Sequence, residues 1–301
     1  FPSGMVWVKH FDLELTPGNP ATKRRIETRF FVKNSTAAYG VTYQWNNITN
    51  GQPQTEATLV GPNGADISLP SQTWHIPGRG ECMTCHNPAA GHALSFNTLQ
   101  LNRSGHLASQ PGNFLTLLDG NGYLDQSPGS PAELPRHIRP QETAYSLEAR
   151  VRSYLAVNCA YCHQPGGGGG GNWDARHHLT LDQTGLINQP SVAAPLHPGD
   201  KLVVPGNVAA SILHGRAAAA NGYTRMPPLS TNLVDAEGVQ LLADWIKDEA
   251  SALTSYAKWR SSNFGGNPLG APSLDPEGDG LTNLQEFQAG TTPRSSEDSP
   301  Q

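Results

Sequence analysis

Several residue types are scarce in this chain, and each scarcity excludes something. Cysteine occurs four times and methionine three times in 301 residues, so any role for sulfur has few candidates. Charged residues are 15% of the chain with a net charge of −5 and no basic run, which argues against nucleic acid or an anionic membrane as partner. No apolar stretch approaches the roughly 18 residues that a membrane span needs. No leader pattern precedes the first strand pattern, so Phe1 reads as a mature or trimmed start. Apolar residues reach only 37%, with mean hydropathy −0.45, in a chain long enough for two to three structural units. Glycine and proline are abundant instead, at 32 and 25 residues, and predict many loops. Large apolar cofactors would supply the packing that the side chains lack.

What is present is organised around the cysteines. All four fall in Cys82-Met83-Thr84-Cys85-His86 and Cys159-Ala160-Tyr161-Cys162-His163. Cys-x-x-Cys-His is the attachment signature of a c-type haem. The thiols add to the porphyrin vinyl groups, and the adjacent imidazole ligates the iron. A four-Cys zinc site would not need a His directly after each pair. The chain therefore reads as carrying two haem c groups, on Cys82, Cys85 and His86 and on Cys159, Cys162 and His163. No thiol is then left for a disulfide. Because covalent haem attachment takes place outside the cytoplasm, the expected location is exported, periplasmic or extracellular.

The expected fold class is α+β. Residues 1–76 read as an antiparallel β region packing on the first haem, 77–140 as the first haem segment, and 141–250 as a mostly helical, cytochrome c-like domain with the second haem. Residues 251–301 read as a small calcium-binding helix–loop–helix and tail. Alternation of Val6, Val8 and His10 against Trp7, Lys9 and Phe11 predicts a strand to about Leu15, with His10 buried on the Val face. Further strands are expected at Arg25–Val32, Val41–Trp45, Thr55–Val60 and Ala65–Leu69. Helices are expected at Ala93–Asn102 and Phe114–Leu118, and from a cap at Thr143 or Ser146 through Leu147, Val151, Tyr154, Leu155 and Val157 into Cys159. The run Gly166–Gly171 reads as a flexible loop. Ala236–Ala250 reads as a closing helix, with Trp245 over the haem edge.

Iron ligands opposite the proximal histidines differ in clarity. Met226, in Arg225-Met226-Pro227-Pro228, stands some sixty residues after His163 on a loop that proline stiffens, which suits a thioether on the opposite haem face. For the first haem, Met83 sits inside the attachment turn. The histidine candidates are His10, His75, His92, His106 and His137, with His75 of Trp74-His75-Ile76-Pro77 preferred over His10. Another residue, or no protein ligand, remains open.

The C-terminal stretch carries separate chemistry. Asp275-Pro276-Glu277-Gly278-Asp279-Gly280-Leu281-Thr282-Asn283-Leu284-Gln285-Glu286 matches the twelve-residue EF-hand spacing. Side-chain oxygens fall at Asp275, Glu277, Asp279, Asn283 and Glu286, the Leu281 carbonyl takes the seventh position, and Gly280 provides the turn at the sixth. Ca²⁺ is the expected ion. Tyr256, Trp259, Phe264, Leu284 and Phe287 would form a small core around the loop.

The segments Phe1-Pro2-Ser3-Gly4, Val8-Lys9-His10-Phe11, Arg25-Ile26-Glu27-Thr28-Arg29, Tyr43-Gln44-Trp45-Asn46, Trp74-His75-Ile76-Pro77, Glu81–His86 and Gln100-Leu101-Asn102 resemble a family of exported dihaem c-type cytochromes. Members of that family occur alone or fused behind β-propellers similar to PQQ-dependent sugar dehydrogenases. The resemblance spans about residues 1–250, and residues 275–293 are similar to thrombospondin type 3 or dockerin-like calcium loops. It implies electron transfer between redox proteins rather than catalysis, with a PQQ-type dehydrogenase as a donor. The chain departs from the fused members in having no propeller. Two alternatives stay open: a subunit of a larger or filamentous assembly built from copies of the chain, and a peroxidase-like enzyme with an open first haem.

Overall fold

A computed structural model of the chain describes residues 1–229, 231–251, 256, 259, 260, 263–265, 267–289 and 293. It is mixed α and β, with an antiparallel sheet at the N-terminus and helices after it. Two compact units emerge, and their boundaries interleave. The first holds residues 1–136, 159–169 and 227–233; the second holds 137–158, 170–226 and 234–301. The attachment turn after Asn158 thus groups with the N-terminal unit, although the helix leading into it groups with the other. The tail expected after the calcium-binding stretch lies outside the described residues beyond Ala289, apart from Pro293.

In the first unit, β1 (Val6–Glu14), β2 (Lys23–Lys33), β3 (Ala38–Trp45) and β4 (Ala57–Leu59) form an antiparallel meander. The hairpin β5 (Ala65–Leu69) and β6 (Gln72–Ile76) follows it. Ile26, Ile48 and Leu69 make the buried centre, with Leu13, Leu15, Ile67 and Trp74 packed around it. The period-2 pattern of β1 is present, but its inward face is the opposite of the one expected. Trp7 and Phe11 turn inward, whereas Val6 and Val8 are 48% and 51% exposed and His10 is exposed with them. The larger aromatic rings bury more apolar area than valine, and they take the covered side.

The buried sheet centre contains a carboxylate. Glu27 is fully buried and accepts hydrogen bonds from Arg29 Nε at 2.9 Å and from Trp74 Nε1 at 3.0 Å. The Arg29 guanidinium also lies 4.2 Å from the centre of the Phe11 ring. Two donors therefore offset the desolvation of one carboxylate, and the Phe11 ring holds the guanidinium in place.

The helix expected over Ala93–Asn102 shrinks to α2 (Thr98–Leu101), which follows α1 (Arg79–Cys85). His92 and Ser95 adopt positive φ of 64° and 71°, which breaks helical winding. Asn97 then caps α2 by accepting from the Gln100 N–H at 3.0 Å. A hairpin that no alternation announces, β7 (Ser104–Leu107) and β8 (Gln110–Asn113), precedes α3 (Phe114–Gly120). Its strands contain Gly105, Pro111 and Gly112, and the chain reverses through Ala108 at φ 52°.

In the second unit, α4 (Leu147–Asn158) starts at Ser146, whose Oγ accepts from the Ala149 N–H at 3.2 Å. Val151 and Leu155 are buried as their spacing predicts, and Arg152 is buried beside them. Arg152 survives burial by donating Nη2 to the Arg176 carbonyl at 2.7 Å and the Leu179 carbonyl at 3.3 Å. α5 (Ile212–Ala218) and α6 (Ala236–Asp244) complete the described helices of this core. Gly238 lets α6 approach α4, because a side chain there would strike the Tyr154 ring. The expected single helix over 236–250 widens after α6 into a π-helical turn at Trp245–Glu249. Glu249 there accepts the Glu148 N–H at 2.8 Å. Trp245 is fully buried in this unit.

Glu27→Ala leaves Arg29 and Trp74 Nε1 without their acceptor and should destabilise the first unit by about 3 kcal/mol, in the range for breaking a buried ion pair. Denaturant midpoints followed by tryptophan fluorescence check this, and Glu27→Gln should cost less.

Candidate functional site

α1 carries Cys82 and Cys85 three residues apart, hence on one face. Its start is set by Glu81, which accepts the Gly78 N–H at 2.8 Å. Its end is set by His86, whose N–H bonds the Cys82 carbonyl at 3.0 Å. The His86 imidazole is then oriented from two sides. Nδ1 lies 2.7 Å from the His92 carbonyl oxygen, which only accepts, so Nδ1 bears the proton and Nε2 keeps its lone pair. The Phe31 ring stacks against the imidazole at 4.4 Å. Burial holds the His86 pKa below its ordinary value, so the ring is neutral at pH 7. A neutral imidazole with Nδ1–H tied to a carbonyl is the form that ligates a metal through Nε2.

The second motif closes as a single turn. The N–H groups of Cys162 and His163 both bond the Cys159 carbonyl, at 3.1 and 2.8 Å. Within the first unit the two turns meet. Cys85 Sγ and Cys162 Sγ are 3.3 Å apart and share a hydrogen bond. That bond raises the Cys85 pKa, with burial adding to it, and lowers that of Cys162. Asn87, almost fully buried, donates Nδ2 to the Thr84 carbonyl at 2.9 Å and to the Tyr161 carbonyl at 3.3 Å. Tyr161 Oη reaches Gln100 Oε1 at 2.5 Å and accepts the Ser95 N–H at 3.2 Å.

Within the glycine run that read as a flexible loop, Gly167, Gly168 and Gly169 are sterically required. A side chain on Gly167 would run into the Cys162 carbonyl, and one on Gly168 into the Thr84 carbonyl of the other turn. One on Gly169 would come within 2.8 Å of the Cys162 carbonyl oxygen.

All four cysteines are free, half-buried thiols. Among the described residues, no three of their sulfurs and the imidazole nitrogens gather within 4.8 Å. A tetrahedral zinc site needs that convergence. The residue types suit haem attachment: Cys82, Cys85, Cys159 and Cys162 would be the tethers, and His86 and His163 would supply the imidazoles.

Opposite ligands are less directly served. His75 is bound at both nitrogens, Nδ1 to Asp66 Oδ1 at 2.7 Å and Nε2 to Glu81 Oε2 at 3.1 Å. The Asp66 hydrogen bond, with Glu81 adding to it, raises the His75 pKa. A ring bridging two carboxylates has no lone pair to give iron, so its geometry does not favour His75 over His10. His10 puts Nδ1 2.8 Å from Thr28 Oγ1 and sits on the open face of β1 rather than in a core. Met226 lies in the second unit, 36% exposed, with its N–H on the Arg216 carbonyl at 3.0 Å.

The acidic loop has its own internal order. Asp275 Oδ1 accepts the N–H groups of Gly278 at 2.7 Å and Asp279 at 3.1 Å, and Oδ2 accepts that of Gly280 at 2.9 Å. Gly280 has φ 96°, the left-handed turn expected at the sixth position. Carboxylate oxygens of Asp275, Glu277 and Asp279 come within 4.8 Å of one another. α7 (Asn283–Ala289) follows, with Gln285 Oε1 accepting the Thr282 N–H at 2.8 Å. Asn283 is fully buried; its Nδ2 donates to the Leu269 and Ala271 carbonyls, both at 2.9 Å, and its Oδ1 has no hydrogen-bond partner. Among the described residues, the Glu277 carboxylate oxygens also lack a hydrogen-bond partner. Oxygens withdrawn from water without donors are what a hard cation satisfies. Behind the loop, Tyr256, Trp259 and Phe287 pack with ring centres 5.3 to 5.8 Å apart, and Tyr256 Oη donates to the Gly270 carbonyl at 2.9 Å.

Compared with known proteins, the chain matches no protein-family model, no curated protein and no solved structure. Sequence reasoning missed Asn87, Phe31, the Asp66–His75–Glu81 bridge and the required glycines. Asn87, Phe31 and Gly168 act through partners distant in the chain, and only the small, polar character of Asn87 directly after His86 hinted at a role.

The His75 bridge makes a pH signature. The raised His75 pKa contributes stability that is complete below the ordinary histidine value of 6.5 and lost as pH rises through the higher folded value. Glu81 is held below its ordinary value of 4.5, first by the Gly78 N–H, and its share is lost as pH falls through that lower folded value. Between about 4.5 and 6.5 both contributions are complete. His75→Gln should flatten the decline on the alkaline side, read as melting temperature against pH.

Proposed function

We propose that the chain is a dihaem c-type cytochrome that passes electrons between exported redox proteins. The observation that carries this is the pair of Cys-x-x-Cys-His turns that use every cysteine, with His86 held neutral and tautomerically fixed by the His92 carbonyl. Haem c supplies one-electron exchange between Fe(III) and Fe(II). The residues do the rest. Cys82, Cys85, Cys159 and Cys162 hold the two groups covalently; His86 and His163 provide proximal imidazoles; Phe31 and the His92 carbonyl keep the first imidazole from rotating. Met226 would supply a thioether ligand to the second haem, and a methionine ligand would raise that haem's potential.

For the first iron, the commitment of both His75 nitrogens to carboxylates favours His10 or an open position. That same observation keeps a peroxidase-like activity at the first haem as the second interpretation. Donors are redox proteins, a PQQ-type dehydrogenase among them, and copies of the chain itself are the partners in a filamentous alternative. No helix among the described residues is long and apolar enough to cross a membrane. Asp275, Glu277, Asp279, Asn283, Glu286 and the Leu281 carbonyl hold Ca²⁺, which supports a module too small to be stable on its apolar core alone.

The deciding experiment is expression with c-type haem attachment machinery, followed by pyridine haemochrome assay and low-temperature EPR. Two haems per chain are expected, with a low-spin signal lost in Met226→Ala. Absence of covalent haem overturns the proposal, and a high-spin signal in the unmutated protein selects the peroxidase-like interpretation.

Calcium is tested separately. Chelation should expose the Trp259 cluster and lower the melting temperature of the tail, and Glu286→Gln should weaken calcium binding at least tenfold in calorimetry. An unchanged affinity would remove Glu286 from the ligand set.

A further inference from the structure

We infer that the two haems form one electronically coupled pair, with Asn87 and Gly168 as the positioning residues that hold their attachment turns together. This rests on the dihaem assignment. The second cysteine of each motif faces its counterpart, Cys85 Sγ to Cys162 Sγ, at 3.3 Å. Each thioether carbon lies one bond from its sulfur, so like edges of the two macrocycles are tethered at neighbouring points.

The contact is built into the backbone as well as the side chains. The Thr84 carbonyl, inside the first motif, receives the Asn87 amide at 2.9 Å. The same Asn87 amide donates to the Tyr161 carbonyl, inside the second motif, at 3.3 Å. One nearly buried side chain thereby joins both Cys-x-x-Cys loops, while its Oδ1 accepts the Ala90 N–H at 2.9 Å and fixes the amide's direction. Gly168 gives the closest approach, since a methyl group there would collide with the Thr84 carbonyl. The Ala89 methyl would lie 3.5 Å from a side chain on Gly166, so the turns are close-packed along this edge. A long separation between carriers would need none of these contacts.

Chromophores with strong, nearly degenerate transitions held this close split each other's absorption, and the signature is a bisignate circular dichroism couplet in the Soret band. The test uses the full chain with haem attached, reduced with dithionite. Haemochrome assay and intact mass first count the haems: fewer than two per chain overturns the dihaem assignment itself. With two haems present, a couplet is expected that exceeds the summed spectra of Cys82→Ala/Cys85→Ala and Cys159→Ala/Cys162→Ala, each of which retains one haem. A spectrum equal to that sum overturns the coupled pair and leaves the dihaem assignment standing.

The positioning role is read on variants that keep both haems. Asn87→Asp retains the oxygen that accepts from Ala90 and loses the amide donors to Thr84 and Tyr161, and should reduce the couplet at least twofold. Gly168→Ala should do the same by forcing the turns apart, and serves if the Asn87 variant does not fold. An undiminished couplet in a folded two-haem variant removes that residue from the positioning role.

Discussion

The contact between Cys85 and Cys162, braced by the Asn87 amide, is the constraint on which the site depends. Two short turns separated by more than seventy residues of chain are brought to sulfur–sulfur contact at 3.3 Å. Such a contact closes a long loop, and the entropy of closure is offset only if many groups cooperate. Asn87 contributes two donors to carbonyls that would otherwise face a crowded interior, and the glycine run removes the side chains that would hold the turns apart. The abundance of glycine therefore acts partly as a packing device, and Gly167, Gly168 and Gly169 belong to the site rather than to a linker.

Around that contact the first unit is held less by a large apolar core than by polar groups satisfied in place. Glu27, fully buried, is matched by Arg29 and Trp74. Asn102, also buried, donates to the Pro131 and Leu134 carbonyls at 2.9 and 2.8 Å and so organises a proline-rich segment that has little secondary structure. A chain with 37% apolar residues depends on such networks, and each is costly to leave half-satisfied. The second unit follows a more ordinary logic, with Val151, Leu155, Leu241, Leu242, Trp245 and Ile246 buried on helices.

The acidic loop shows the same dependence on polar satisfaction in sharper form. Asp275 is occupied by three backbone N–H groups, which shapes the loop, while Glu277 and Asn283 Oδ1 point oxygens that no protein donor meets. Tyr256, Trp259 and Phe287 pack on one another, and the Arg260 contact with Asp182 joins this segment to the rest of the second unit. Like charges brought together in this way repel one another, and a bound cation would relieve that repulsion.

Local chemistry was legible in the chain alone. The two Cys-x-x-Cys-His turns, the twelve-residue acidic spacing, most sheet strands and the apolar stripe of α4 are written in neighbouring residues, because spacing and period are properties of short segments. The tertiary structure decided what distant residues do to one another. It turned Val6, Val8 and His10 outward because Trp7 and Phe11 have more area to bury. It shortened the helix after His86 through positive φ at His92 and Ser95, and placed His75 between two carboxylates instead of leaving a nitrogen free. It set the two attachment turns against each other through Asn87, a contact for which no sequence period exists, since the residues that make it become neighbours only when the chain has folded.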